Sequence, residues 1–257
     1  MKEVIFLGSK EIGIYCLEQL WKHPAVKITG VLSNNRKLES EGITVSGFAR
    51  EKNLPVYASP DDMPRADILI SVQYHEILKK HHLEKARELA VNLHLAPLPE
   101  YRGCNQFSFA LMDEKTEFGT TLHMMDEGID SGDILFERRF PVPQRCNVKQ
   151  LYRLTLEASK TLFKEHLDNL LNRRYTPVSQ ESLAAQRGTA IHYRNEIEDL
   201  KKIDIEMSEN EIDKRIRATY FPPFAPPYTI IEGKTVHLNL DWKNILKKEG
   251  VPPYGHQ

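Results

Sequence analysis

Three side chains in this sequence are of types that do chemistry together: Asn92 and His94, two positions apart, and one carboxylate of the acidic loop that carries Asp126, Asp130 and Asp133. An imidazole changes charge near neutral pH and so suits proton transfer. An amide N–H can be aimed at an oxygen that gathers negative charge, and a carboxylate can orient an imidazole and answer its positive charge. Such a trio suits proton transfer beside a group that gathers charge. Each member also has a plainer reading. A single histidine after a strand is commonly held by backbone, an asparagine before a proline-rich turn caps it, and Asp126, Asp130 and Asp133 can be solvated loop acids. A metal set built from His94, His123 and the acids is a further alternative, but its spacing matches no established ligand pattern, and no metal is expected.

The elements that must position these residues follow from the hydrophobic pattern. A short apolar strand from Ala90 delivers Asn92 and His94 to one face, because alternate strand residues share a face. Pro97 and Pro99 cannot donate to a central ladder, so the sheet ends there and the two polar side chains lie at its carboxyl edge, where open α/β sheets bind ligands. The Gly-punctuated acidic loop Asp126 to Asp133 can turn a carboxylate back onto the imidazole.

Upstream, strands are expected at Glu3 to Leu7, Val26 to Leu32, Leu54 to Tyr57 and Asp67 to Val72. Ser9 is expected to cap a helix that turns Ile12, Tyr15, Cys16, Leu17 and Leu20 to the sheet. A second helix covers Thr44 to Lys52, and a third leads into Ala90. Downstream, Asn105 to Met112 reads as helix, and Thr120 to Met125 and Asp133 to Phe140 read as strands. A capping box at Asn147 to Gln150 opens a long helix with Leu151, Leu154, Ala158, Leu162, Leu167 and Leu170 on its apolar stripe. Alternating β and α elements predict a doubly wound, mostly parallel sheet, an α/β domain over residues 1–177.

Residues 178–257 have a different texture and predict a small α+β subdomain. Gln180 to Arg194 reads as a polar loop, and Met207 to Glu211 caps a helix carrying Ile212, Ile216 and Tyr220. Phe221 to Tyr228 is a stiff proline and aromatic path. Thr229 to Ile231 and Lys234 to Leu240, turned by Glu232 and Gly233, close the subdomain as a β-hairpin. Its aromatics suit either base stacking or a protein contact, and the hairpin makes a two-fold homodimer through this region an expectation.

Composition removes several function classes. The 257 residues carry a formal net charge of −1, so no basic excess advertises a nucleic acid partner. Cys16, Cys104 and Cys146 are odd in number and form no paired metal spacing, which fits a reducing compartment without structural zinc. The amino-terminal apolar run is too short for a signal peptide and no segment reaches membrane-spanning length, so a cytoplasmic protein with no membrane partner is expected. The turn Gly8 to Gly13 lacks the full G-x-G-x-x-G fingerprint, which leaves NAD binding with little support. Lys10 beside the helix start reads either as a phosphate contact or as a solvated lysine.

Asn92-Leu93-His94, then Leu98-Pro99-Glu100-Tyr101-Arg102-Gly103, then Asp130-Ser131-Gly132-Asp133 resemble, in order, the three-part motif of the formyltetrahydrofolate-dependent formyltransferases. The resemblance covers about residues 1–175 and implies a Rossmann-like formyltransferase fold. Ala96-Pro97-Leu98-Pro99 and Cys104-Asn105-Gln106-Phe107 look more like the nucleotide-sugar N-formyltransferases than the methionyl-tRNA enzymes, which usually read Ser-Leu-Leu-Pro and carry, after the second strand, a longer basic loop than the short surface loop of mixed charge read here at Ser33 to Gly42.

By that resemblance Asn92, His94 and Asp130 are catalytic. Tyr74, Ile77, Leu78, Asp126, Gly128 and Ile129 line the site of N10-formyltetrahydrofolate, the formyl donor. The acceptor it implies is a nucleotide-linked amino sugar, most closely a 4-amino-4,6-dideoxyhexose for surface glycans. Lys10, Arg102, Asn105, Gln106, Tyr220 and Phe221 are candidate contacts for that substrate, although a hydrogen-bonded structural role suits Arg102 better. Ile77 and Leu78 can equally be core. Formylation of methionyl-tRNA and a folate- or nucleotide-binding module without catalysis are the competing functions.

Overall fold

In the computed structural model of the chain, residues 1–33 and 44–251 are described; the loop read at Ser33 to Gly42 lies almost wholly outside them. The elements run β1 (Lys2–Gly8), α1 (Lys10–Lys22), β2 (Val26–Leu32), α2 (Val45–Glu51), β3 (Ala66–Val72), α3 (Lys80–Leu83) and β4 (Ala86–His94). They continue with β5 (Arg102–Gly103), α4 (Gln106–Met112), β6 (Glu117–Met124), β7 (Ile134–Pro141), α5 (Val148–Leu171), α6 (Gln180–Arg187) and β8 (Ile191–His192). Last come α7 (Ile197–Lys201), α8 (Glu209–Thr219), β9 (Tyr228–Ile231), β10 (Lys234–His237) and α9 (Trp242–Lys248).

Six strands form the main sheet in the order β2-β1-β3-β4-β6-β7. Strands β2, β1, β3 and β4 are parallel, and β6 lies antiparallel to β4. The order reverses at β1, so right-handed crossovers put successive helices on opposite faces, which is the doubly wound pattern. Central strands buried on both sides read as near-continuous apolar runs, and Val4, Ile5, Phe6 and Leu7 are all fully buried. Ile5, Leu7, Leu32, Met63, Ala66, Leu69 and Leu78 form one core cluster against this sheet.

The chain divides into two compact units, each discontinuous in sequence. The first holds residues 1–102, 119–139 and 155–190; the second holds 103–118, 140–154 and 191–257. In the second unit, Ile203, Ile212, Ile216, Leu238, Trp242 and Leu246 make a separate core. Its hairpin β9–β10 turns at Glu232 (φ 48) and Gly233 (φ 80), the two positive values that a two-residue type I′ turn demands. The second strand stops at His237 rather than Leu240, because Leu238 turns into the core and its N–H goes to Pro227 O at 2.8 Å.

Four local expectations change. Leu54 to Tyr57 is no strand but a single bridge, Val31 to Val56, since Pro55 has no N–H to extend a ladder. The segment Gln180 to Arg187 is helix α6 rather than loop, built from Gln, Glu, Ala and Arg, which are good helix formers without an apolar stripe to betray them. Ser9 does not cap α1; its hydroxyl donates to Gln73 O at 2.5 Å. Leu154 is half-exposed, while Leu151, Leu162 and Leu170 of the same stripe are buried. Among the described residues, no helix is long and apolar enough to cross a membrane.

Two substitutions test this description. Asn147 Oδ1 accepts from Gln150 N and Gln150 Oε1 accepts from Asn147 N, both at 3.0 Å, the reciprocal box read from the sequence. Asn147→Ala should therefore cost about 1 kcal/mol, seen as a fall of about 2–4 °C in Tm by calorimetry; an unchanged Tm contradicts the box. At Gly132 a Cβ would collide with the backbone oxygen of Met124, which is not a flexible group. Gly132→Ala should displace the loop that carries Asp130 and lower Tm by calorimetry; an unchanged Tm contradicts this close approach.

Candidate active site

The carboxyl end of β4 is closed by hydroxyls. Past the last ladder bond, the carbonyls of His94 and Ala96 accept from Thr120 Oγ1 and Thr121 Oγ1, each at 2.8 Å, in a region where both threonines are fully buried. Buried carbonyls need such partners, so a strand can end inside the protein without orphan groups. The β4–β6 register pairs Asn92 directly with His123, and His94 with Thr121. Cross-strand partners share a face at close range, and Asn92 and His94 share it by alternation. Three polar side chains thereby meet: Asn92, His94 and His123.

The fourth is Asp130, held in left-handed backbone (φ 47), a region that Asp tolerates better than most residues. Its Oδ2 lies 3.5 Å from His94 Nδ1, and its Oδ1 lies 3.5 Å from His123 Nε2. Asn92 Nδ2 is 3.1 Å from His123 Nε2 and donates to Asp130 Oδ1 at 3.4 Å. The structure thus brings Asn92, His94 and Asp130 together. The side chains of His94 and His123 are almost wholly buried and Asp130 is 16% exposed.

Backbone carbonyls assign the protons. His94 Nε2 lies 2.7 Å from Tyr101 O, and His123 Nδ1 lies 2.7 Å from Met124 O. A carbonyl can only accept, so each of these nitrogens carries hydrogen. The remaining nitrogens, His94 Nδ1 and His123 Nε2, are the acceptors of the neutral rings, and each faces one oxygen of the same carboxylate. A proton arriving at His94 Nδ1 lands against Asp130. This is an arrangement that can take a proton and answer its charge at once.

Long-range contacts hold the Asp130 loop. Gln180 Nε2 donates to the backbone oxygens of Asp130 and Gly132 at 2.8 and 2.7 Å. Arg102 Nε donates to Ile129 O at 2.8 Å, which is the structural role favoured for this arginine. Asp126 Oδ1 accepts from Gly128 N at 3.0 Å and from Ser131 Oγ at 2.5 Å, shaping the loop from within.

Other expected residues are distributed as follows. Ile77 is 71% exposed, whereas Leu78 belongs to the core cluster against which Tyr74 also packs. Burial, and after it the charge of Glu76, pushes the Tyr74 phenol up to about 12, so it stays a neutral donor across the working range. Lys10 (φ 63) donates to Gln73 Oε1 at 2.9 Å. Asn105, Gln106, Tyr220 and Phe221 belong to the second unit. There both N–H bonds of Asn105 go to the carbonyls of Tyr193 and Arg194, and Gln106 is buried. Tyr220 packs on that unit's core, and Phe221 lies between Tyr152 and Phe224 with ring centroids 5.4 and 5.7 Å away.

Sequence reasoning weighed His123 only in a rival metal set with His94, and did not find Gln180 or the Tyr101 carbonyl as site members. Only the β4–β6 register exposes the first, and no local signal marks the other two. Another cluster, Asp61 with His81 and His82, has ligand-type atoms close together. His82 is buried, and its Nδ1 accepts from Lys79 N at 3.2 Å. Its Nε2 must then carry the proton that faces Asp61 Oδ1 at 2.8 Å, so that nitrogen offers no lone pair to a metal. Hydrogen bonds from His81 and His82 hold the Asp61 carboxyl down at about 2.

A family model described as formyl transferase matches residues 25–167, more than half of the chain. Over 187 residues, 72% of this chain and 69% of the other, the sequence is 31% identical to a GDP-perosamine N-formyltransferase from Brucella melitensis. It is 28% identical to a methionyl-tRNA formyltransferase from Listeria welshimeri over 98% of this chain and 83% of that one. In fold it is similar to an N-formyltransferase from Helicobacter canadensis solved with folinic acid and dTDP-3-aminofucose, with a TM-score of 0.74, 23% identity, and coverage of 92% of this chain and 86% of that one. With the motif residues of β4 and the Asp130 loop gathered at one sheet edge, and a family match across most of that sheet, this protein belongs to the formyl transferases and is an enzyme that transfers formyl groups.

Proposed function

We propose that the enzyme moves a formyl group from N10-formyltetrahydrofolate to the amine of a nucleotide-linked amino sugar, a 4-amino-4,6-dideoxyhexose, in the cytoplasmic assembly of a surface glycan. The likeness to a relative named for GDP-perosamine carries the sugar reading, and the residues of the site are compatible with the donor. A flat heteroaromatic ring wants apolar walls and a few polar partners. Ile77 offers an exposed apolar surface backed by Leu78, Tyr74 offers a neutral hydroxyl, and His75 Nδ1 is buried without a hydrogen-bond partner. Asp126, Gly128 and Ile129 supply the opposite wall of the donor site in this reading.

A formyl group on nitrogen is an amide-like carbon, and no covalent link to the protein is needed to transfer it. Asn92 has two N–H bonds. One is held by His123 Nε2, while the other faces Asp130 at 3.4 Å, long enough to turn toward an oxygen as it becomes negative. As the amine nitrogen bonds to the formyl carbon, His94 Nδ1 takes the proton that the amine sheds and Asp130 faces an imidazolium; the same proton passes to N10 as the C–N10 bond breaks and tetrahydrofolate leaves. At 3.5 Å the attraction between Asp130 and the imidazolium is about 1 kcal/mol in water but about 5 kcal/mol at an effective dielectric of about 20. A site this enclosed stands nearer the second value, which exceeds the net worth of an ordinary neutral hydrogen bond. The resting distances are loose and tighten only when substrate is bound.

Of the substrate candidates in the first unit, Lys10 and Arg102 carry charge of the kind a diphosphate attracts, Arg102 while donating to Ile129 O; taken by itself, the second unit has in Tyr220 and Phe221 aromatic side chains of the kind a base stacks on. Asn105 and Gln106 have weaker support, given the hydrogen bonds and burial that already occupy them. Pairing of two copies through the β9–β10 hairpin belongs to the same proposal, and Ile230, 54% exposed on β9, is its apolar contact. The second reading, methionyl-tRNA formylation, is favoured by the relative that aligns with nearly the whole chain. A net charge of −1 weighs against it, since a nucleic acid backbone attracts clustered cations.

Two measurements decide these points. Asn92→Ala should lower kcat by about 10²–10³ and Asp130→Asn should abolish turnover, while both proteins keep donor affinity by fluorescence titration; full activity in either refutes the assignment. Incubating the enzyme and formyl donor with GDP-, dTDP- and UDP-linked amino sugars and with methionyl-tRNA should give a formyl mass gain on a sugar only. Product on the tRNA alone reverses the ranking.

A further inference from the structure

Next to the catalytic group lies a set of four charged side chains with no role in the reaction as described. Glu100 Oε1 is 2.7 Å from Arg139 Nη2, and Glu137 Oε1 is 2.6 Å from the same nitrogen and 2.9 Å from Arg139 Nε. Arg187 Nη1 lies 3.2 and 3.1 Å from the two oxygens of Glu137 and 3.4 Å from the backbone oxygen of Leu98. Two carboxylates and two guanidiniums cancel in charge. Their side chains are 11–29% exposed, so these are not surface pairs that solvent screens away. Glu100 Oε2 is buried without a partner, a cost that the fold sustains at this position.

What the quartet grips is the turn from Pro97 to Tyr101, closed by Tyr101 N–H to Pro97 O at 3.1 Å. It holds that turn by the side chain of Glu100 and the carbonyl of Leu98. The next carbonyl, that of Tyr101, is the one that fixes the proton on His94 Nε2 and so leaves His94 Nδ1 as the acceptor toward Asp130. We infer that Glu100, Arg139, Glu137 and Arg187 are positioning residues for formyl transfer: they aim the Tyr101 carbonyl, and through it they select the tautomer of His94. None of them touches the reacting atoms. The inference rests on the assignment of His94 and Asp130 made above. It predicts that an ion network on one side of the sheet edge sets which nitrogen of a buried imidazole can take a proton.

Its test uses the intact chain with 15N-labelled histidine. In the unsubstituted protein the NMR shifts of His94 should mark a single tautomer, with hydrogen on Nε2. Arg139→Met should mix the two tautomers, lower kcat by about 10- to 100-fold, leave the donor KM within about twofold, and move the limb of the kcat pH profile that reports the base. Arg139→Lys, which keeps the charge, should recover part of kcat. Glu100→Gln keeps volume and changes only the turn's own anchor; it should give the same tautomer mixing in milder form and serves if Arg139→Met does not fold. A folded Arg139→Met or Glu100→Gln protein with an unchanged His94 tautomer, kcat and pH profile overturns the proposal. Asp130→Asn is run in parallel: if it retains full turnover, the assignment of the site fails, whereas loss in Asp130→Asn with no effect at Arg139 or Glu100 removes the quartet alone.

Discussion

The site depends on one strand being turned around. Had β6 run parallel to β4 like its neighbours in the sheet, no tight cross-strand pair would join Asn92 to His123 at the carboxyl edge. Antiparallel pairing sets them opposite each other and sets Thr121 opposite His94. It also lets β6 turn within a few residues into the loop that returns Asp130, because Met124 N–H bonds to Asp133 O at 2.8 Å and closes the loop at its base. An edge formed only by parallel strands would need a long crossover there, and the carboxylate would arrive from elsewhere.

Within that frame the backbone does most of the chemical tuning. Two carbonyls, of Tyr101 and Met124, take one hydrogen from each imidazole, and what is left over points at Asp130. Gln180 and Arg102 then pin the loop by its carbonyls, so the carboxylate is located by backbone contacts and not only by its own ion pairs. Buried polar groups satisfied in this manner resist reorientation, which is what a transition state with developing charge requires of its surroundings.

Much of this was legible in the residues. Alternation placed Asn92 and His94 on one face, the prolines after them ended the sheet, and the glycine of Asp130-Ser131-Gly132-Asp133 sits where no Cβ fits. Periodicity also gave most of the long elements, including α5 with its capping box. The unread parts share a physical cause. Helix α6 has no apolar stripe, so periodicity was blind to it, and Gln180 at its start acts across a long stretch of chain that no local pattern encodes. His123 needs a register, and registers are decided by pairing partners. The fate of Leu78 and Ile77, adjacent in sequence yet one in the core and the other exposed, follows from a turn whose direction the sequence leaves open.

The most direct measurement is a crystal structure with the stable analogue 5-formyltetrahydrofolate bound. Its formyl group should sit beside Asn92 Nδ2 and His94 Nδ1, the formyl oxygen making polar contacts of about 3–3.5 Å, with Asp130 on the same Nδ1 side of the imidazole and the Tyr101 carbonyl on the other. A formyl group held away from all three side chains, with the pterin ring remote from the end of β3, would contradict the central claim.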